Sequence, residues 1–341
     1  MKAIGFTQSL NISEEQSLFE FELNQPIATN SDILVEIKAI SVNPVDGKVR
    51  KSAALNKTLD TPRILGFDAA GVVVGVGDQV KNYKLGDEVY YAGDITKPGS
   101  NQQFQVVDEA IVGNKPKSLS FSQAAAIPLT AITAYEALFE RLSISKNPSD
   151  KNKIILIVGG AGGVGSIAIQ LAKKLTQLQV IATASKAESI EWVKQLGADY
   201  VINHRNDLNE EIRHIGIANV DYILCLSDTD GHWNAMCKAL KPQGAICTIV
   251  ENAAPLDMNI LKTKSAKFSF EFMFTRSMFN TPDKSEQQRI LNEVAQLIDE
   301  QIIVHTQKHE LSPINVSNLK KAHLLSEQGQ TLGKITLHNW E

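Results

Sequence analysis

Residues 154–175, IILIVGGAGGVGSIAIQLAKKL, join an unbroken apolar run to a glycine-dense turn and then to an apolar-periodic segment. The first five residues read as a buried strand, and the spacing after the glycines reads as an amphipathic helix. Gly160, Gly162 and Gly165 fit the G-x-G-x-x-G spacing. The first glycine permits the tight turn, the second lets a pyrophosphate approach the backbone, and the third lets helix and strand pack closely. The helix begins inside this turn, so its unpaired N–H groups and positive dipole end face an incoming phosphate. Gly160, Gly162, Gly163, Val164 and Gly165 are therefore candidate dinucleotide-binding residues. Residues 154–172 carry no charge and match a membrane span in length, but five glycines in their seven-residue middle favour strand–turn–helix.

The end of the second strand selects the dinucleotide. A site for the unphosphorylated ribose places Asp or Glu there to accept bonds from the 2′-hydroxyl. Here QVIATASKAES (179–189) presents Ala184, Ser185 and Lys186 instead. A missing carboxylate removes repulsion towards a 2′-phosphate, and a hydroxyl and an ammonium can bind one. His204 and Arg205, after the next strand, add further donors. The expected cofactor is NADPH. A solvated strand end is the plain structural reading of the same residues.

Outward from the turn, strands are predicted at 154–158, 179–184, 199–202, 220–225, 245–250 and 267–273, with helices at 164–176 and 187–196. That alternation implies an α/β, doubly wound parallel sheet of six strands with helices on both faces. Residues 1–120 read differently: short runs at 32–40, 69–77, 87–93 and 103–113 are separated by Pro, Gly, Asn and Asp. The alanine-rich run 121–143 has helical spacing, which Pro128 breaks. Beyond residue 280, helices at 285–301 and 315–328 precede a closing strand, GKITLH. The expected organisation is a β-rich domain, 1–122, completed by 280–341, around a dinucleotide-binding domain, 123–279.

Composition narrows the partners. With 341 residues and 43% hydrophobic content the chain can build two cores, and a net charge of −4 without a basic stripe excludes nucleic acid as an expected partner. The N-terminal MKAIGFTQSLNISEEQ lacks an apolar signal core, so a cytoplasmic location and no membrane contact are expected. Cys225, Cys237 and Cys247 show no paired spacing and read as small core residues rather than a disulfide framework.

Four stretches occur in order: AISVNPVDGKVR, GFDAAGVVVGVGDQVKNYKLGDEV, AAAIPLTAITAYEAL and IVGGAGGVGSIAIQLAK. Together they resemble the medium-chain dehydrogenase/reductase superfamily, and within it the quinone oxidoreductase branch. The resemblance runs from the N-terminus to GKITL. It implies a GroES-like β-rich domain plus a Rossmann domain, with substrate and nicotinamide meeting in the cleft between them. It also implies a homodimer joined through the last Rossmann strand, near KFSFEFMF. Thr133 matches a threonine that contacts the nicotinamide in relatives, and Val250 a position lining the ring pocket.

The zinc enzymes of that superfamily carry Gly-His-Glu where this chain reads Gly66-Phe67-Asp68. Their first ligand cysteine matches Asn43, and their third ligand matches Leu129. The first histidine of the chain is His204 and the first cysteine Cys225, so the N-terminal domain holds neither of the main zinc ligands. No metal site is expected. Alcohol oxidation relies on a metal-stabilised alkoxide, whereas hydride transfer to a quinone or an α,β-unsaturated carbonyl needs only donors for the developing oxyanion. Asn43, in the vacated ligand position, is the first candidate catalytic donor, and Asp46 of the same NPVD motif is expected to orient the loop or the nicotinamide ribose. As turn and cap formers, both also have a structural reading. Tyr90 and Tyr91 are further proton-donor candidates, though strand aromatics commonly serve packing. Phe272, Met273, Phe274, Met278 and Phe279 read as core, substrate pocket or dimer seam. A zinc alcohol dehydrogenase and a non-catalytic NADPH-binding redox sensor are the alternatives to a quinone or enone reductase.

Overall fold

A computed structural model describes residues 1–329 and 331–341. Its contacts divide the chain into two units, residues 1–132 with 274–341, and residues 133–273.

In the first unit, alternating burial builds two sheets. Strands β1 (Lys2–Phe6), β2 (Phe19–Glu22) and β4 (Arg63–Ile64) form a small antiparallel sheet in the order β2-β1-β4. The larger sheet comprises β3 (Asp32–Val42), β5 (Ala69–Val76), β6 (Glu88–Tyr91), β7 (Phe104–Asp108), β8 (Val112–Asn114), β15 (Gln307–Leu311) and β16 (Lys334–His338). Its order is β15-β16-β3-β5-β6-β8, with β7 also paired to β3. The closing strand β16 lies antiparallel to β3, with Ile335 opposite Val42 and Leu337 opposite Ile40. That register brings Lys334 beside the end of β3, where Asn43 opens helix α1 (Pro44–Ser52). Pro44 suits this start because the first helical N–H has no partner to lose. The alanine-rich run divides into α2 (Phe121–Ala125) and α3 (Pro128–Tyr135), the break falling at Pro128 as its missing N–H requires. The tail adds α9 (Thr275–Met278), α10 (Glu286–Asp299) and α11 (Val316–Glu327).

In this unit one predicted run is divided. Residues 103–113 are not one strand: a short 3-10 turn, Glu109–Ile111, separates β7 from β8. The Glu109 carboxylate takes the Lys81 and Asn82 amides, which draws the chain away from the ladder.

The second unit is a parallel six-stranded sheet in the order β11-β10-β9-β12-β13-β14. Its strands are β9 (Ile154–Val158), β10 (Gln179–Thr183), β11 (Tyr200–Ile202), β12 (Val220–Cys225), β13 (Leu240–Thr248) and β14 (Lys267–Phe270). Helices α4 (Gly163–Leu175), α5 (Ala187–Gln195), α6 (Leu208–His214), α7 (Thr229–Ala239) and α8 (Asn259–Lys262) alternate with them. All five residues of β9 are buried, as the uninterrupted apolar run requires for a central strand. The strand order reverses at β9, with β10 on one side and β12 on the other, which is where such sheets bind ligands. Strand β13 starts earlier than predicted, and β14 stops at Phe270 instead of 273. Just past its end, Glu271 turns inward to meet Arg141, with Nε and Oε2 2.8 Å apart. The three cysteines are unpaired and buried. Among the described residues no helix is long and apolar enough to cross a membrane.

Candidate functional site

In the first unit, four polar side chains converge inside the protein. Asn43, Asp46 and Asp68 are each 1% exposed and Lys334 is 4% exposed. Asp46, at the third position of α1, reaches back so that its Oδ2 accepts the Asn43 backbone N–H at 2.8 Å, the reciprocal half of a capping box. Its Oδ1 accepts the Gly66 N–H at 3.0 Å, tying the helix start to the turn before β5. Gly66 is required there: its φ is +105°, and a Cβ would lie 2.5 Å from Ser100 Oγ.

Asp68, just before β5, is the hub. Its Oδ2 accepts Asn43 Nδ2 at 2.8 Å and Lys334 Nζ at 3.0 Å, and its Oδ1 accepts the Leu129 backbone N–H at 2.8 Å. Lys334 also donates to Val42 O at 3.1 Å and to Asn43 Oδ1, so its three N–H donors are all placed. Burial pushes both carboxyls up, Asp46 to about 7; backbone N–H bonds and the Lys334 ammonium hold Asp46 back from rising further. For Asp68 the ammonium and the Asn43 amide oppose the same burial. Two acids and one base thus share one dry site, and a carboxyl titrating near neutrality is suited to hold or release a proton.

The positions that the resemblance equates with zinc ligands carry other groups. Asn43 gives an amide, and Leu129 gives only its backbone N–H. Phe67 is 2% exposed and packs edge-on against Phe274, with ring centroids 5.2 Å apart. Among the described residues no group of three or more His, Cys, Asp or Glu side chains is placed to hold a metal. An ammonium bonded to both Asp68 and Asn43 makes this a poor donor set for zinc, which prefers thiolate and imidazole. The residues present do not fit the metal.

The second unit holds the glycine turn. Gly159 has φ +85°, and its N–H donates to Thr183 Oγ1 at 2.9 Å. A Cβ on Gly160 would stand 2.9 Å from Ala182 Cβ, and one on Gly165 would stand 2.5 Å from Gly159 O. Those two glycines are dictated by the chain's own packing. Gly162 is not: a Cβ there would meet nothing nearer than Gly159 O at 3.7 Å. Gly162 caps α4 without any side-chain bond to the first turn, so the helix N-terminus is left to an external anion. These residues fit a dinucleotide pyrophosphate.

Beyond β10, Ala184 is buried, Ser185 half-buried and Lys186 exposed. The Ala184 N–H donates to Ile202 O at 3.0 Å, one bond past the end of the β10–β11 ladder. Val250 is half-buried after β13, its carbonyl accepting Thr229 Oγ1 at 2.8 Å. Thr133 is buried in α3. The tyrosines are spent on packing: Tyr90 donates to Leu291 O at 2.6 Å and Tyr91 to Gln105 Oε1 at 2.9 Å. In the Phe/Met cluster, Met273 and Phe274 are core, while Phe272, Met278 and Phe279 are exposed.

Two family models match the chain. Residues 29–130 match the alcohol dehydrogenase GroES-like domain, and residues 163–286 match the family described as zinc-binding dehydrogenase. A zinc-type alcohol dehydrogenase-like protein of Staphylococcus epidermidis is 41% identical over 339 residues, covering 99% of each chain. The chain belongs to the medium-chain dehydrogenase/reductase superfamily. Within that superfamily, 2-methylene-furan-3-one reductase of Solanum lycopersicum is 36% identical over 275 residues, 78% of this chain and 66% of the relative. The crystal structure of Escherichia coli quinone oxidoreductase complexed with NADPH superimposes with a TM-score of 0.82 at 26% identity, covering 99% and 100% of the two chains. The chain thus joins a GroES-like domain to a Rossmann domain, as an oxidoreductase of this superfamily does.

Sequence reasoning met Asp68 only beside Phe67, where the zinc enzymes read Gly-His-Glu, and passed over Lys334. A lysine opening an apolar strand, in GKITL, is the one local signal it left.

Proposed function

We propose that this protein is an NADPH-dependent reductase of quinones or α,β-unsaturated carbonyls that works without a catalytic metal. The observation that carries this reading is the Lys334–Asp68–Asn43 network in the place of the zinc ligands. A protein ammonium there balances the buried carboxylates but offers no open coordination position for an alkoxide, so reduction of an already polarised acceptor is favoured over alcohol oxidation. The reductase and quinone oxidoreductase among its relatives support the same acceptor class.

When bound, NADPH supplies the hydride. The chain's own residues do the rest. Gly160, Gly162, Gly163, Val164 and Gly165 bind the pyrophosphate, Ser185, Lys186 and His204 hold the 2′-phosphate, and Thr133 and Val250 border the nicotinamide. Asp46 holds the Asn43 and Gly66 amides together, and Asn43 joins Asp68 to Lys334. With its amide engaged inside the protein, Asn43 acts in this reading as a positioning residue, and Asp46, titrating near 7, stores a proton. The edge strand β14, where Phe270 is exposed, is the surface we assign to a homodimer. A reducing, cytoplasmic setting suits three unpaired thiols.

The test is steady-state NADPH oxidation against a panel of quinones, enals and enones. Turnover with acceptors of this class, unaffected by a strong chelator, is expected. Turnover of primary alcohols that a chelator abolishes would reverse the reading, and no turnover with any acceptor would favour a redox sensor.

A further inference from the structure

Strands β11 and β12 are separated in the sheet by β10 and β9, three inter-strand spacings or about 14 Å. His204 follows β11 and His232 lies in the first turn of α7, after β12, yet their rings meet edge to face with centroids 6.3 Å apart. The two side chains therefore converge alongside the carboxyl ends of β10 and β9, the strands that carry Ser185 and the glycine turn. Both histidines are half-buried, and His204 Nδ1 is buried without a hydrogen bond among the described residues.

We propose that His204 and His232 form a proton-linked clamp for the 2′-phosphate of NADPH, so that binding takes up a proton and tightens as pH falls. The inference rests on the NADPH reading above. Its chemical ground is that a phosphate dianion supplies the counter-charge that favours a protonated His204 imidazole, with the His232 ring packed against it.

The surrounding charges favour that outcome. Arg205 follows His204 directly, and Lys186 precedes α5. Carboxylates on the neighbouring elements are held by other donors. Asp207 accepts the Asn209 and Glu210 amides, and Glu211 accepts the Asn203 amide and Asn206 Nδ2. Asp228 accepts the Gly231 amide, and Asp230 accepts those of Ala253 and Ala254. Burial, His232 and Arg205 hold the His204 imidazole neutral to lower pH than usual in the free protein. The charge of a bound phosphate dianion acts in the opposite direction, favouring the protonated imidazole.

The experiment is isothermal titration of the intact protein with NADPH and with NADH, in buffers of differing ionisation enthalpy. At about pH 7.5, uptake of roughly half a proton or more per NADPH is expected, with affinity rising several-fold towards about pH 6.5 and NADH showing neither effect. His204→Gln and His232→Gln should lose that uptake while binding NADH as wild type does. Tight NADPH binding without proton uptake in the wild type, or uptake that persists in His204→Gln, overturns the clamp but leaves the cofactor reading standing. Equal affinity for NADH and NADPH in the wild type overturns the cofactor reading itself.

Discussion

Replacing Lys334 with methionine tests whether the buried network is an ion pair that the fold depends on. The substitution keeps most of the stem volume and removes the ammonium from Asp68 Oδ2, Asn43 Oδ1 and Val42 O. Asp68, 1% exposed, then keeps only the Asn43 amide and the Leu129 N–H. Removing one partner of a buried pair leaves an uncompensated charge and costs about 3–5 kcal/mol. Neutralising the other partner as well, in Asp68→Asn/Lys334→Met, removes that charge, so the double variant should be more stable than Lys334→Met alone, with a coupling of about 1–3 kcal/mol. The cost of the single variant is pH-dependent with a definite sign. Without the ammonium the Asp68 carboxyl rises further above its unfolded value of 3.8 and binds a proton in the native state first, so the penalty shrinks as pH falls towards that value. Urea unfolding followed by circular dichroism, near neutral and near acidic pH, reads both effects. A single variant within about 1 kcal/mol of wild type, or a double variant as destabilised as the sum of the singles, would refute the reasoning.

Two further outcomes follow from single residues. His323 on α11 is fully buried beside Arg50 and Lys51, and burial first, then those cations, push its imidazole down from 6.5 to about 4. The unfolded chain therefore binds more protons between those values, so stability is lost as pH falls from 6.5 to about 4, by about 3 kcal/mol in all. The difference between wild-type and His323→Gln unfolding curves should isolate this term from Asp46, whose raised carboxyl acts in the opposite sense; a pH-independent difference would count against it. At the glycine turn, Gly162→Ala should leave the melting temperature nearly unchanged but weaken NADPH binding at least tenfold, whereas Gly165→Ala should destabilise the free protein, because a Cβ on Gly165 would lie 2.5 Å from Gly159 O while one on Gly162 would lie at an ordinary 3.7 Å from the same atom. Calorimetry and cofactor titration separate them, and equal melting losses in both would contradict the assignment of Gly162 to a ligand.

Local pattern determined a large part of this protein. The apolar run before Gly159, the spacing of Gly160, Gly162 and Gly165, and the 3.6-residue periodicity after them specify a strand, a tight turn and a helix from neighbours in the chain. The same locality explains two of the departures in strand length. At Glu109 and Glu271 a carboxylate is drawn to donors distant in sequence, the Lys81 and Asn82 amides and Arg141, and no window of nearby residues reports such partners. Through the family resemblance, Asn43, Phe67 and Leu129 could also be read as the loss of one set of ligands. What replaced them could not. Lys334 lies 266 positions from Asp68, and only the antiparallel register of β16 on β3 carries its ammonium to the buried carboxylate. The sequence by itself determined the strand, the glycine turn and the helix after it, because these rest on residue type and short spacing, and the absence of His and Cys before His204, which is a matter of composition. The tertiary structure decided that an ammonium balances those carboxylates, because charge balance in a dry interior depends on which groups the fold brings within hydrogen-bonding distance.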